Sequence, residues 1–427
     1  MILFHAFGIF AVVALAGVPL VYGILLGTAG AIWINGLAHP LTSVFLSYIG
    51  GLESFVLIAV PLFMLAGEVL SSGGVGRRIV TFATTLLGFL PGGLGIASVV
   101  SCLVFGGVSG SAIADTAAIG GVMSPAMIRK GYSRAFAAAL MSTAGTLAVV
   151  MPPSIPMLVY AFVSGTSVRD LFLAGVVPAF AFAAGLSAVC VWTGRRTGCD
   201  PGGKPAPARQ IWHAFIAAFP ALLMPVLILG GIWSGAFTPT EAAAVAAVYG
   251  LFVSMVIYRD LRPRDLPALF LKAFTMSAVV MVVVGATASL AWLITIEQVP
   301  VQLAALVNEY ATSQWMFLLL VNIFLLALGC FIEPVPALIL AAPLLVPLAA
   351  AFHIDLVHLG LIMTCNLAIA LYTPPVGGTL MVGMRLAGAG MLETTRALIP
   401  QFTISVIVLL VITYVPAVGM GLVQAFQ

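Results

Sequence analysis

Charge is scarce in this sequence. Of 427 residues only 7% are Asp, Glu, Lys or Arg and 62% are hydrophobic, whereas an ordinary soluble domain carries roughly 25% charge. A water-soluble fold this apolar would lack the polar side chains to cover its surface, so that class is excluded. The formal net charge of +3 says little about partners, because where the charges fall matters more than their sum, and no nucleic-acid partner is expected. Cysteine is sparse too. Cys102, Cys190, Cys199, Cys330 and Cys365 are scattered, and no pair has CxxC spacing. That excludes a disulfide framework or a zinc site and leaves them as small apolar fillers. A basic leader is also missing. The chain opens Met1-Ile2-Leu3-Phe4-His5, and the apolar stretch that follows is too long for a cleaved signal, so it is expected to be a first membrane helix.

What the chain has in quantity is apolar length. Stretches of at least about 20 residues, each enough to cross a hydrocarbon core, recur from end to end. Segmentation gives about ten to twelve of them, some re-entrant, and the chain is read as a polytopic membrane protein. Two stretches carry the same punctuation. Met151-Pro152-Pro153-Ser154 and Thr373-Pro374-Pro375-Val376 each interrupt an apolar run, at an offset of 374 − 152 = 222. The same offset carries Gly107 onto Gly329, Pro125 onto Pro347, Met141 onto Met363 and Tyr160 onto Val382 without a gap. Each half thus has a Gly-rich break, an apolar segment, a lone Pro, another apolar segment and a Pro-Pro break. Duplication with broken helices at matching places points to a transporter.

The clearest linker is 194–210, polar, basic and rich in Pro and Gly. It is expected to be an exposed cytoplasmic loop joining the halves. Arg259-Asp260-Leu261-Arg262-Pro263-Arg264 reads as cytoplasmic too, with two spans, about 211–233 and 238–258, between the two loops. After Pro125 the connection Arg129-Lys130-Gly131-Tyr132-Ser133-Arg134 is basic. Its equivalent Ala351-Phe352-His353-Ile354-Asp355-Leu356 has no Lys or Arg. Opposite charge bias in equivalent loops is what inverted halves produce. Glu297 and Glu309, without basic neighbours, fit the outer face.

Several features have local explanations. Thr238-Pro239-Thr240-Glu241 reads as a capping box that opens a helix. His5, His39 and His213 lie near segment ends, and so do most of the six tryptophans, as interfacial residues do.

The polar residues inside the apolar breaks carry the chemistry. Phe105-Gly106-Gly107-Val108-Ser109-Gly110-Ser111-Ala112-Ile113-Ala114-Asp115 combines helix-loosening glycines, two hydroxyls and one of only 13 acidic residues. Irregular backbone at membrane depth is tolerated only against protein or a water-filled cavity, and a carboxylate there is a functional candidate. The local alternatives are close helix packing at the glycines, a hydroxyl bond back to the helix, and a helix cap by Asp115. The second half has Leu328-Gly329-Cys330-Phe331-Ile332-Glu333-Pro334 at the equivalent place, with Glu333 matching Ser111. Both read as tips of re-entrant hairpins. Proline lacks an amide hydrogen, so the Pro-Pro breaks leave carbonyls free around Met151 and Thr373. With Ser142, Thr143, Thr146, Thr364, Asn366 and Thr373 nearby, hard oxygens suit a small cation such as sodium. Facing half-helix N-termini suit an anionic group. Kinked helices without ligands are the plain alternative.

Gly-Val-Ser-Gly-Ser-Ala-Ile-Ala-Asp-Thr at 107–116, Met-Pro-Pro-Ser-Ile-Pro at 151–156, Phe-Thr-Pro-Thr-Glu-Ala at 237–242, Glu-Pro at 333–334 and Thr-Pro-Pro-Val-Gly at 373–377 resemble the large membrane subunit of TRAP transporters. These are the tripartite ATP-independent periplasmic systems, and the resemblance is to the dicarboxylate-transporter M type, over essentially the whole chain. It implies an all-α polytopic membrane protein of two inverted-topology repeats, each a re-entrant helical hairpin followed by a Pro-Pro-broken helix, arranged as elevator-type transport and scaffold domains. The expected layout is a first repeat over 1–193, with a hairpin about 92–128 and a broken helix about 135–164. The linker 194–210 follows, then a second repeat over 211–427, with a hairpin about 315–350 and a broken helix about 355–384. The resemblance further implies import of an organic acid, such as a C4-dicarboxylate or sialic acid, across the bacterial inner membrane. Sodium is the coupling ion and no other cofactor is expected. A periplasmic binding protein and a small four-helix membrane subunit are the expected partners, the latter not fused to this chain. Carried onto this sequence, one cation site uses Ser109 with backbone at Gly145, Ala148, Met151 and Pro153. A second uses Gly329, Glu333, Asn366 and Thr373. Ser111, Asp115, Ser154 and Gly377 would face the substrate.

Three rivals compete. A stand-alone sodium/dicarboxylate symporter would share the repeats and hairpins but need no binding protein. An intramembrane serine protease is raised by Gly107-Val108-Ser109-Gly110, which matches the short rhomboid pattern. A protease needs a His within reach of Ser109, and His353 and His358 lie in the segment matching loop 129–136, away from that tip. A passive channel would leave inverted halves unexplained.

Overall fold

The computed structural model of the protein describes residues 1–299, 302 and 313–426. Glu309, expected on the outer face, lies outside the described residues. Every regular element among them is helical. In chain order the helices are α1 (Ile2–Leu15), α2 (Leu20–Ile34), α3 (Thr42–Leu52), α4 (Ala59–Ser72), α5 (Val75–Leu87), α6 (Gly93–Ser109), α7 (Ala112–Arg129), α8 (Arg134–Gly145), α9 (Leu147–Val150) and α10 (Ile155–Ser164). There follow α11 (Val168–Thr197), α12 (Ala208–Trp233), α13 (Pro239–Phe252), α14 (Leu266–Ile296), α15 (Gln314–Gly329), α16 (Pro334–Ala351), α17 (Leu356–Ala370), α18 (Gly378–Ala387), α19 (Met391–Tyr414) and α20 (Ala417–Ala425). Among the described residues seven helices are long and apolar enough to cross a membrane, or eight if the pair α8–α9 and α10, bent by 40° at its break, counts as one span. The protein is therefore a multi-pass membrane protein, and its backbone groups are satisfied within helices, as a hydrocarbon solvent demands.

The offset of 222 governs the helix boundaries as well as the sequence. Adding it to α7 gives 334–351, the bounds of α16, and adding it to the start of α8 gives 356, the start of α17. The first residue of α10 lands at 377, one residue before α18. Both Pro-Pro bonds, Pro152-Pro153 and Pro374-Pro375, are cis. The halves interlock reciprocally. Past its own break, α10 packs on α16 and α17 of the second hairpin region, while α18 packs on α7 and α8 of the first.

The repeats are inverted. Gly388, just before α19, lies against the Arg134 guanidinium, so α19 starts on the face where the α7–α8 connection lies. At its 24 residues, α19 is roughly 36 Å long, enough to reach the opposite face. There Tyr414 stacks on Trp315 at 4.9 Å, and Phe317 stacks on Phe352 at 4.7 Å. Those contacts hold both ends of the α15–α16 hairpin on the face opposite to the ends of the α6–α7 hairpin.

Local chemistry starts the helices. Ser111, Ser133, Ser154 and Ser167 each accept a backbone N–H as N-caps of α7, α8, α10 and α11. Thr238 and Glu241 form the expected capping box, with the Thr238 N–H donating to Glu241 Oε2 at 2.8 Å and the Glu241 N–H donating to Thr238 Oγ1 at 3.3 Å.

Two expectations need correction. The first apolar stretch is not one membrane helix. Gly17, at φ +79°, and Pro19 break it into α1 and α2. These are helices of 14 and 15 residues, each about 21–23 Å long and short of a roughly 30 Å core. They pack closely along each other, where a Cβ on Gly27 would meet Ala6 O at 2.5 Å. Nor is the linker simply exposed. Cys199 and Asp200 are buried. The Asp200 carboxylate accepts the Leu94 N–H at 2.7 Å and the Tyr132 hydroxyl at 3.4 Å, and its carbonyl accepts the Gly92 N–H at 2.9 Å. Burial, and after it the Asp200 carboxylate, push the Tyr132 hydroxyl above its ordinary pKa, so it stays protonated and donates. The linker thus plugs the base of the first hairpin, because its one carboxylate meets the free amides of the α6 N-terminus.

Candidate functional site

The first hairpin turns over Gly110, at φ +60°, a conformation that favours glycine. Ser109, the last residue of α6, and Asp115, in the first turn of α7, are both buried. The Ser109 hydroxyl donates to Asp115 Oδ1 and accepts the Ser111 N–H at 3.2 Å. Asp115 Oδ2 has no hydrogen-bond partner among the described residues. The tip is pressed against the first Pro-Pro break. A Cβ on Gly106 would meet the backbone of Ala148 at 2.7 Å, and one on Gly110 would meet Pro153 O at 3.0 Å. On its other side α4 approaches so closely that a Cβ on Gly67 would lie 2.7 Å from Ser109 O. Small residues allow these approaches, as in tightly packed membrane helices.

The second tip is built differently. Glu333 occupies the N-cap position of α16 and Pro334 the first helical position, where a missing N–H costs nothing. The Glu333 side chain makes no cap bond and is exposed, whereas Asn366 on α17 is fully buried. Asn366 Nδ2 donates to Asn322 Oδ1 at 2.6 Å and to Ile362 O at 2.8 Å, and Asn366 Oδ1 has no partner among the described residues. Asn322 Nδ2 donates onward to Thr413 Oγ1 at 3.3 Å. Helices α15, α17 and α19 are therefore joined by a buried amide and hydroxyl chain.

Both tips face one cavity of about 390 Å³. Ser109, Ser111 and Ile113 of the first tip and Glu333 and Pro336 of the second line it. The rest of the wall includes α4, with Met64 and Glu68, and α14, with Lys272, Met276 and Val283. Lys272 Nζ donates to Glu68 Oε1 at 2.6 Å. The site is thus an apolar vestibule with few polar groups: two hydroxyls, two carboxylates and, among the described lining residues, a single cation. Such a chamber suits a small ligand carrying charge at one or two points.

The sequence-derived candidates divide accordingly. Ala148, Met151 and Pro153 lie against Gly106, Gly107 and Gly110, the glycines that flank Ser109, and Gly145 lies against Ala112 and Thr116 at the start of α7. Ser111 and Glu333 reach the cavity. Asp115, Ser154 and Gly377 do not line it. Asp115 turns back onto Ser109, and the Ser154 hydroxyl donates to Val149 O at 2.5 Å while capping α10. Gly377, at φ +48°, makes the turn into α18. Gly329 packs on Ala370, and the Thr373 hydroxyl donates to Ile369 O at 2.8 Å. The hydroxyls of Ser142, Thr143, Thr146 and Thr364 likewise donate to carbonyls three or four residues back. They do not form a free cage, because a hydroxyl in apolar surroundings takes the nearest carbonyl. Asn322, Glu68 and Lys272 escaped the sequence reading. A polar or charged residue inside an apolar helix was the available signal.

A family model described as "Tripartite ATP-independent periplasmic transporter, DctM component" matches residues 7–418 of this sequence. The sequence is 42% identical over 370 residues to the C4-dicarboxylate TRAP transporter large permease protein DctM of Pseudomonas aeruginosa, covering 87% of this chain and 86% of that one. It is 35% identical over 401 residues to the 2,3-diketo-L-gulonate TRAP transporter large permease protein YiaN of Escherichia coli, covering 94% of each. Among solved structures, the YdaH transporter of Alcanivorax borkumensis, described as having an unusual topology, superposes with a TM-score of 0.55 at 14% identity over 90% of both chains. That likeness concerns the fold alone.

Proposed function

The chain belongs to the DctM-component family of the TRAP transporters, and from that premise we propose that it is the large permease subunit of a sodium-driven importer of organic acids. The observation that carries this reading is the meeting of two oppositely inserted hairpin tips at one cavity, with a Pro-Pro break packed behind the first. A carrier must expose one site to either side in turn, and paired inverted tips around one chamber are the geometry that permits it. The relatives' names point to the cargo class, since C4-dicarboxylates and 2,3-diketo-L-gulonate are both carboxylates. A periplasmic binding protein would deliver the acid, a small four-helix subunit would complete the permease in the inner membrane, and the hairpins would move as an elevator against the scaffold.

Sodium ions would enter as co-transported cargo. The unpartnered Asp115 Oδ2 beside Ser109 supports a cation near Gly145, Ala148, Met151 and Pro153, because a buried carboxylate oxygen without a donor is costly until a cation meets it. The unpartnered Asn366 Oδ1 supports a second cation near Gly329, Glu333 and Thr373. Asp115 thus moves from the substrate set to the first cation set. Ser111 and Glu333 remain at the chamber wall, where binding of sodium would order the tips that close over the acid.

The test is uptake of labelled succinate into proteoliposomes holding the chain, the small subunit and the binding protein, under an imposed sodium gradient. Uptake should require both the gradient and the binding protein. Ser109→Ala and Asp115→Asn should each lower it at least tenfold and raise the half-saturating sodium concentration, roughly the loss of one charge-assisted contact. Uptake indifferent to sodium, or sodium dependence unchanged in both variants, refutes the reading. Sodium-driven uptake without binding protein would favour the stand-alone symporter.

A further inference from the structure

The ion pair of Glu68 and Lys272 stands on the part of the cavity wall that α4 and α14 form beside the hairpin tips. Glu68 is the neighbour of Gly67, whose backbone touches the tip at Ser109. It lies one turn before the end of α4, and Lys272 lies six residues into α14, roughly 9 Å along the axis. Both ends run into the basic connections, where Arg78 pairs with Asp260 at 2.5 Å. By the positive-inside rule that face is cytoplasmic. The charged end of the chamber is therefore its cytoplasmic end.

A lysine near the end of a membrane helix ordinarily extends its ammonium to the interface. Lys272 instead turns to the neighbouring α4 and remains 64% exposed, whereas Glu68 is only 16% exposed. An ammonium has three N–H donors, and the contact with Glu68 takes one. Two are left on the only cation among the described residues of the lining. The tips themselves offer hydroxyls and a carboxylate but no positive side chain, so a carboxylate leaving them meets Lys272 next.

We propose that Lys272 is a docking group for the carboxylate of the cargo on the cytoplasmic side of the chamber, and that Glu68 competes for the same ammonium and so speeds release. This inference rests on the organic-acid reading above. The acid passes from the tips to Lys272, displacing Glu68 in part, and Glu68 recaptures the ammonium as the acid departs. Without Glu68 the cation would hold its anion too long, and without Lys272 two carboxylates, Glu68 and Glu333, would repel the departing acid. The pair sets cytoplasmic-side affinity and leaves delivery from outside alone.

The experiment uses the full complex in proteoliposomes and measures succinate exchange while the internal and external concentrations are varied separately. Lys272→Gln should raise the internal half-saturating concentration about tenfold or more, the loss of one hydrogen bond to a charged group. The external value should stay within about twofold. Glu68→Gln should move the internal value the other way, down about threefold, as loss of a partly exposed ion pair permits, with slower release. Lys272→Arg should restore the internal value to within about threefold of wild type, since the charge is kept. An unchanged internal value in Lys272→Gln overturns the proposal while leaving the transport reading intact. So does a shift of both glutamine variants in the same direction with equal loss of thermal stability, which would make the pair a brace between α4 and α14. If the wild type exchanges neither succinate nor a panel of other organic acids, the transport reading fails and the proposal falls with it.

Discussion

Gly67→Ala probes the contact between α4 and the first hairpin tip. The added Cβ would lie 2.7 Å from Ser109 O and 3.1 Å from Ser109 Cα, where ordinary contact begins at 3.4 Å. Both neighbours are backbone, so neither can swing aside, and the helix or the tip must move by about 0.7 Å (3.4 − 2.7). Overpacking by one methyl group at a close-packed site costs about 1–3 kcal/mol. That is about 5- to 150-fold in the ratio between this arrangement and any in which the tip has left α4. Hydrogen–deuterium exchange reads such a ratio as local opening. The amides of Gly110 and Asp115, bonded to Gly106 O and Ser111 O, should exchange about 5- to 150-fold faster in Gly67→Ala. Gly121→Ala is the control, because nothing lies within 4 Å of a Cβ at that position of α7. Equal protection of the tip in the two variants would refute the close approach as a constraint on tip movement.

Two further outcomes are expected. Leu at Asn322 and at Asn366, singly and together, should show a coupling of about 0.6 and at most about 1.7 kcal/mol in a double-mutant cycle of unfolding from bilayers or micelles, and additivity of the two would dissolve the amide chain to Thr413. Asp200→Ala leaves the Leu94 N–H buried without its acceptor, at a cost of about 1–3 kcal/mol. Exchange at Leu94 and Gly203 should quicken, and unchanged protection there would mean that the linker is not held by Asp200.

Much of the fold could be read from the chain because its signals are local or periodic. Proline and glycine act on their own backbone, so the breaks at 152–153 and 374–375 and the turn at Gly110 stand where the residues are. The capping box at Thr238 and Glu241 spans four residues and needs no tertiary partner. A chain duplicated at offset 222 repeats these local instructions, and the helix bounds repeat with them. Of the candidate site, the tips were the legible part. Ser111 and Glu333 follow the breaks directly and reach the chamber. Asp115 and Ser154 carry the right chemistry but turn inward, since a buried carboxylate takes the nearest hydroxyl and a serine before a helix caps it. Glu68 and Lys272, 204 residues apart, each read alone as a charge near the end of an apolar run.

The solvent, the helical class, the duplication and the places where helices break are all legible in the sequence. Each follows from composition or from the backbone preferences of single residues. Opposite charge bias in equivalent loops also carried the inversion, because it depends on which loops hold Lys and Arg. Tertiary packing alone settles which side chains share the chamber and which lie behind it. It also holds the linker by its own carboxylate and, among the described residues, places a single cation in the chamber lining beside the tips. Those outcomes depend on where helices distant in sequence meet and on which way side chains turn there. In a chain this apolar nearly every helix face is compatible with burial, so hydrophobic pattern cannot choose among them, and close backbone approach at glycine does.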